Sequence, residues 1–371
     1  MTQFADGFLV DELSRMSSEM GLIGPRVCGV DPFEFERVQI ELAKEVGRSS
    51  TMAFTFNKPS RSADPNSALE GAKSILSFAM RYPGPSDGLE SEGSPSGGEI
   101  AYYAKSDFYG ELRSRLSIVA EEVRARGYRA RVTVDENHAI DKAIARRSGL
   151  GWMGKNTLIL TNATGPFVLL GEVFTDAELS HTESLYKSCG KCDKCQTSCP
   201  TGALDEDYLL DARRCISWLL QKDGPFPYEL RGPAGMRFYG CDECLTSCPV
   251  GKKTRLRLES TAPDVDPIFW LLRSDRELID HFGFTYIPKR DPSHLRRNLL
   301  LVLGNSGCQT DEAREALTTH LGHFSNVVRS TAVWAASELG FSDLLALVEA
   351  DRDELVHQEL ARIGIAPFAS D

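Results

Sequence analysis

Nowhere in its 371 residues does the chain hold an apolar run close to the about 18 residues expected of a membrane-spanning helix. The opening segment, MTQFADGFLV, lacks both the basic start and the long apolar stretch of a secretory leader. The expected compartment is therefore the reducing cytoplasm, where disulfides are rare. Positive charge is the minority sign: 42 Lys and Arg against 53 Asp and Glu give a net charge of −11. That balance argues against indiscriminate nucleic-acid binding, which relies on clustered Lys and Arg, although it leaves room for a local basic face. Candidates for such a face are Lys252–Arg257 (KKTRLR), Lys289-Arg290 and Arg296-Arg297. Each alone is more often a solvated surface. Cysteine is nearly absent outside one window: of ten, only Cys28 and Cys308 lie elsewhere, and both read as small buried apolar residues.

Of the other eight cysteines, seven form two runs that each end in Cys-Pro, and Cys215 lies between the runs. The first is Cys189-x2-Cys192-x2-Cys195-x3-Cys199-Pro200, and the second is Cys241-x2-Cys244-x3-Cys248-Pro249. Two-residue gaps let a tight loop aim successive thiolates at separate iron corners of one cube. In two-cluster ferredoxins the fourth Cys of such a run ligates the other cluster. On that pattern Cys189, Cys192 and Cys195 hold the first [4Fe-4S] cluster, completed by Cys248. Cys241 and Cys244 hold the second with Cys199, and Cys215, between the runs, is the natural fourth ligand. Zinc sites also use C-x2-C pairs, but a repeated three-Cys run closed by Cys-Pro is far more specific for iron–sulfur cubes.

The composition, 42% hydrophobic, supports two or three domains with real cores. Residues 1–179 read as mixed α and β. The pattern predicts helices over 31–46, 110–126 and 140–148, and strands over 72–82, 129–134, 157–161 and 167–174, with a Gly, Ser and Pro-rich loop over 83–98. In the helix over 110–126, Leu112, Leu116, Val119 and Val123 share one face. Residues 180–258 form the cluster module. From 259 to 371, after a Pro-rich connection, the pattern is helical. Arg297–Leu303 resembles Arg329–Ala335 at an offset of 32, a spacing that suggests stacked helix pairs with a curved docking surface.

Several stretches together resemble the epoxyqueuosine reductase family. They are Val134-Asp135, Ala145–Thr157 (ARRSGLGWMGKNT), Gly171–Asp176 (GEVFTD), Cys215-Ile216-Ser217-Trp218 and Tyr239-Gly240-Cys241-Asp242, with Val327–Ala335 in the helical region. The resemblance spans nearly the whole chain. It implies an α+β fold in which an α/β sandwich cobalamin-binding domain precedes a ferredoxin-like double [4Fe-4S] module and a C-terminal all-α HEAT-like repeat domain. It also implies an oxidoreductase that removes the epoxide oxygen of epoxyqueuosine in the tRNA anticodon loop, giving queuosine. The family's cobalt has no histidine on its lower face, and this chain has no Asp-x-His-x-x-Gly stretch. Carried over by position, Asp135 is the proton donor. Gly154, Lys155, Asn156 and Ile159 form the cobalamin-contacting turn, with Leu170, Tyr102, Ser217 and Asp242 at further cofactor positions and Asp135 on the same cofactor. Where the family commonly has a small residue after the acid, this chain reads Asp135-Glu136-Asn137-His138, so Glu136 and His138 are candidates to alter the acid's charge environment. The implied partners are tRNA and an external electron donor such as a flavodoxin or ferredoxin, acting on a monomer in the cytoplasm. Competing readings are a cobalamin-dependent reductase of a small molecule, of the reductive dehalogenase type, and an iron–sulfur electron carrier. On these expectations Arg296 and Arg297 belong to the tRNA-binding face.

Overall fold

Four segments pair into one antiparallel sheet: β1 (Leu22–Cys28), β2 (Ser74–Arg81), β3 (Ala130–Thr133) and β4 (Val168–Thr175), in the spatial order β1-β2-β4-β3. This is a computed structural model, and it describes residues 3–84, 97–252 and 265–365. Every residue of β2 from Ser74 to Met80 is buried, as expected of a central strand covered on both faces. Three helices pack on the sheet: α1 (Gln3–Glu19), α2 (Phe108–Ala125) and α3 (Asp141–Arg147). The side chain of Asp107 caps α2 by accepting from the Gly110 N–H at 2.8 Å. Its apolar face is the one the 3.6-residue period predicted, with Leu112, Leu116, Val119 and Val123 fully buried. A Cβ on Gly171 of β4 would lie 2.6 Å from Leu116, so glycine is what lets α2 lie this close to the sheet.

The chain divides into two compact units. One comprises residues 1–86, 106–213 and 242–258, and the other residues 87–105, 214–241 and 259–371. This grouping has a break at 258/259, runs unbroken through 179/180, and divides the expected cluster module at 213/214 and 241/242. The physical reason is apolar: Ile216, Leu219, Leu220, Phe226, Phe238 and Tyr239 belong to the core of the helical unit, which claims the middle of the expected cluster module. In that unit α4 (Ser293–Ser306), α5 (Asp311–Leu321), α6 (Asn326–Glu338) and α7 (Glu354–Arg362) pack on one another, α6 touching each of the other three. Gly304 of α4 makes room for Trp334 of α6, which a Cβ would meet at 2.5 Å. Arg231 and Glu359 form a buried pair at 2.6 Å.

Several expectations need correction. The strand expected over 157–161 shrinks to Ile159–Leu160 and pairs with Trp152–Met153 in a separate hairpin, outside the main sheet. Its turn explains why: Thr157 has a φ of 61°, and Asn156 Oδ1 accepts from the Leu158 N–H at 3.2 Å. β1 and α1 were not foreseen, since Gly24-Pro25 interrupts the alternation of β1 and shifts its register. The larger correction concerns Arg296 and Arg297, expected on a tRNA face but only 7% and 1% exposed. Arg297 donates to the carbonyls of Leu219, Leu220, Lys222 and Gly224 and to Asn298 Oδ1, at 2.6–3.2 Å. Several of those carbonyls end the helix Ile216–Gln221 and have no partner within it. Arg296 is tied to Asp275 and to the carbonyls of Leu271 and Arg273. These two are internal caps.

Of the other basic clusters, Lys289 and Arg290 are exposed, Lys289 pairing with Asp223 at 2.8 Å. All but Lys252 of the cluster over 252–257, and most of the loop over 83–98, lie outside the described residues. No helix among the described residues is long and apolar enough to cross a membrane.

Candidate active site

Asp135 ends the segment that begins as β3 and holds a φ of 51°, a left-handed conformation that aspartate tolerates better than most side chains. It lines a cavity of about 160 Å³ with Tyr109, Asp141, Lys142, Leu158, Ile159, Pro166, Val168, Leu169 and Leu170. Its lining combines the polar Tyr109, Asp135, Asp141 and Lys142 with an apolar ledge of Leu158, Ile159, Pro166, Val168, Leu169 and Leu170. Water still reaches the Asp135 side chain, yet protein surrounds it densely enough that burial raises its pKa above the usual carboxylate range. Both hold because the group sits on a concave wall. The charges of Lys142 and Arg113 oppose the rise without cancelling it.

Glu136 and His138, the candidates to modify the acid, are engaged elsewhere. Glu136 pairs with Arg113 at 2.7 Å and Arg131 at 3.3 Å. His138 lies against Arg61, and burial followed by the charges of Arg131 and Arg61 lowers its pKa, so it is neutral at physiological pH. Neither lines the cavity.

The hairpin Trp152–Met153/Ile159–Leu160 carries the ledge. Because successive strand residues point to opposite sides, Ile159 faces the cavity and packs with Ala79, Leu150 and Val168. Leu160 and Trp152 pack instead with Cys189 and Cys248. The cysteine runs and the cavity are thus one hairpin apart. In the turn, Asn156 Nδ2 donates to the Cys244 carbonyl at 3.1 Å, and Lys155 pairs with Asp207 at 3.0 Å. Gly154 has no room for a side chain, a Cβ there meeting Asn156 Oδ1 at 2.5 Å.

Two short helices, Lys194–Thr197 and Glu243–Thr246, pack together and are linked through Ser198 Oγ and Ser247 Oγ at 3.0 Å. The thiol of Cys195 is pushed up to about 11 by burial and then by the neighbouring Cys189, Cys248 and Cys192, so these four sulfurs share one neighbourhood. Burial works against the Cys199 thiolate, but hydrogen bonds from Thr201, Ala203 and Leu204 outweigh it and lower its pKa. Cys215 and Cys241 belong to the second unit, as do Tyr102 and Ser217. Tyr102 has the Lys105 ammonium 4.9 Å from its ring centroid. Ser217 accepts at its carbonyl from Gln221 Nε2 at 3.0 Å. Asp242 precedes the helix Glu243–Thr246 and its carbonyl takes the Leu245 and Thr246 N–H groups at 2.8 Å. None of Tyr102, Ser217 and Asp242 lines the cavity. Cys28 is buried and its thiol is raised to about 12 by burial, while Cys308 packs against the helical core.

The comparisons with known proteins converge on the same segments. Residues 188–251 match the family described as a 4Fe-4S double cluster binding domain, and residues 62–136 match the family described as epoxyqueuosine reductase QueG, DUF1730. Over 339 residues the chain is 32% identical to the epoxyqueuosine reductase of Pseudomonas aeruginosa, covering 86% of this chain and 92% of that protein. The chain belongs to the epoxyqueuosine reductase family. The member from Bacillus subtilis is 30% identical over 373 residues, 95% of each chain. A crystal structure of an epoxyqueuosine reductase with an epoxyqueuosine-modified tRNA-Tyr stem loop superposes with a TM-score of 0.84, at 28% identity, over 96% of this chain and 98% of that one.

Three polar lining residues of this family member, Tyr109, Asp141 and Lys142, escaped the sequence reading, as did Glu172, which faces Asp141 from behind the cavity. A signal existed for Glu172, a lone charge inside the apolar strand Val168–Thr175.

Proposed function

We propose that the chain reduces epoxyqueuosine to queuosine in the anticodon loop of tRNA, with Asp135 as proton donor. The observation that carries this reading is the acid itself, held at raised pKa in a cavity whose lining is otherwise largely apolar and which lies one hairpin from Cys189 and Cys248. Deoxygenating an epoxide to an alkene takes up two electrons and two protons: both carbon–oxygen bonds break, a carbon–carbon double bond forms, and the oxygen leaves as water. An alkoxide leaves poorly, so an acid within reach must protonate it as the bond breaks. An ordinary aspartate, near pKa 3.9, would be ionised at neutral pH. Burial of Asp135 keeps more of its protonated form, and the apolar Leu158, Ile159, Leu169 and Leu170 line the same cavity.

Cobalamin fits the ledge in chemistry, since its residues are apolar and no histidine is among the lining residues. The cavity is small beside drug-sized pockets of roughly 300–1,000 Å³, room for the reacting centre and not for a whole macrocycle. Gly154, Lys155, Asn156, Ile159 and Leu170 would hold the cofactor, with Tyr102, Ser217 and Asp242. Bound there, it supplies the strongly reducing centre that the ring opening requires. Cys189, Cys192, Cys195 and Cys248 ligate one [4Fe-4S] cluster, and Cys199, Cys215, Cys241 and Cys244 the other. Electrons enter from an external one-electron donor such as a flavodoxin or ferredoxin. The helices α4–α7 form a HEAT-like stack. With Arg296 and Arg297 excluded, Lys289 and Arg290 remain, of the basic pairs read from the sequence, as exposed residues for tRNA. We place the enzyme in the cytoplasm as a monomer.

The test is anaerobic reconstitution with iron, sulfide and cobalamin, followed by reaction with an epoxyqueuosine-modified stem loop and a reductant. Mass analysis should show loss of one oxygen atom from the nucleoside. Bound iron and sulfide with no affinity for a corrin would instead indicate an electron carrier.

A further inference from the structure

A row of polar side chains crosses the sheet of the first unit. Arg26 on β1, Ser77 on β2, Glu172 on β4 and Thr133 on β3 are successive register partners, so their side chains lie on one face. Thr133 Oγ1 donates to Glu172 Oε2 at 2.8 Å. The other oxygen of this fully buried residue, Oε1, has no hydrogen-bond partner, and neither has the buried Oδ1 of Asp141, the carboxyl that Glu172 faces. Carboxylate oxygens only accept, so two adjacent carboxyl groups are both satisfied only when a proton sits between them. Asp141 also lines the cavity beside Asp135, which gives the pair one end in the sheet and one at the reaction space.

The reduction proposed above consumes two protons, and Asp135 carries one. We propose that Asp141 and Glu172 keep a shared proton behind the cavity and that Asp141 passes it to Asp135, supplying the second proton of each turnover. The inference rests on that proposed reaction. In the relay the shared proton sits on Asp141, whose O–H bond breaks as Asp135 is reprotonated; the pair is left without it, and a proton taken up from solvent restores the one shared between Asp141 and Glu172. Glu172 is a positioning residue that acts through Asp141.

The charges around the pair agree. Burial, then the neighbouring Asp135, raises Asp141 to about 7, against the pull of Lys142. Burial, then Asp141, raises Glu172 well above the ordinary range. Glu136 adds to both, the Cys28 thiol faces Glu172, and Arg26 and Ser77 share its row. Because the folded values are raised, the protonated pair stabilises the fold at low pH. For Asp141 that contribution is lost as pH rises through about 7.

The experiment is infrared spectroscopy of the full-length reconstituted chain, reading the carbonyl band of a protonated carboxyl, together with the pH profile of kcat. The wild type should keep that band at neutral pH, and Glu172→Gln should weaken it. In the same variant the alkaline fall of kcat should begin at lower pH, costing about tenfold at pH about 8 and little at pH about 6, with KM unmoved. Glu172→Asp should restore part of the profile. Absence of the band in the wild type, or an unshifted profile in folded Glu172→Gln, overturns the proposal. Should Glu172→Gln not fold, Asp141→Asn decides: a fall of about tenfold across the pH range supports the relay, and wild-type kcat overturns it. A wild type with the band but no reduction of epoxyqueuosine overturns the reaction and the relay together, while the shared proton stands.

Discussion

Asp135→Asn should lower kcat by about 10²–10⁴-fold, the usual contribution of a positioned general acid. Asparagine has the same shape and tolerates the left-handed φ of 51° that the position requires. The backbone, the cavity and its apolar ledge therefore persist, and what disappears is the transferable proton. Iron, sulfide and corrin content should equal the wild type, and KM for the stem loop should not move, because Asp135 contributes to the transition state and not to docking. Glu136 and His138 cannot substitute directly, since Glu136 is held by Arg113 and Arg131, and His138 by Arg61. A variant that loads its cofactors and turns over at the wild-type rate would remove Asp135 from the mechanism.

Arg297→Ala should destabilise the helical unit by several kcal/mol. The substitution leaves the carbonyls of Leu219, Lys222 and Gly224 and the side-chain oxygen of Asn298 without their Arg297 donor, while the Leu220 carbonyl keeps only its bond from Asn298 Nδ2. Each buried acceptor left unpaired costs about 1–3 kcal/mol, and the loss of a large, fully buried side chain adds a cavity. Against a total stability of about 5–15 kcal/mol, the melting temperature should fall by about 10 °C or more. Burial already presses on this charge, lowering the guanidinium to about 9, so the site has little tolerance for rearrangement. Lys289→Ala, at an exposed position, should leave the melting temperature within about 1 °C and act only on tRNA affinity and its salt dependence. If Arg297→Ala melted like the wild type while flattening the salt dependence, the arginine would be a nucleic-acid contact after all.

Arg297 also marks the limit of what was legible in the sequence. Lys and Arg beside one another read as surface because charge is seldom buried without a partner. Here the partners are the loose carbonyls of a helix about 75 residues earlier in the chain, a relation no local pattern carries. The same reasoning applies to Glu172 and Asp141. The strand and the helix that hold them follow from apolar periodicity, but their meeting depends on the sheet order β1-β2-β4-β3 and on how α3 lies across it. What periodicity does determine was readable: α2 with its buried Leu112, Leu116, Val119 and Val123, the two central strands, and α3. The cysteine spacing is legible for a different reason, since the stereochemistry of an iron–sulfur cube acts over a few residues. Asp135 stood out only through family resemblance. As a residue type at a strand end it is ordinary, and its environment is what makes it an acid.

The central claim is tested most directly by mass analysis of tRNA nucleosides from cells lacking this chain, with the wild-type and Asp135→Asn chains restored on a plasmid. The account predicts that epoxyqueuosine accumulates in the deletion, that queuosine returns with the wild type, and that epoxyqueuosine persists with the variant. Normal queuosine in the deletion, or full restoration by Asp135→Asn, would contradict it.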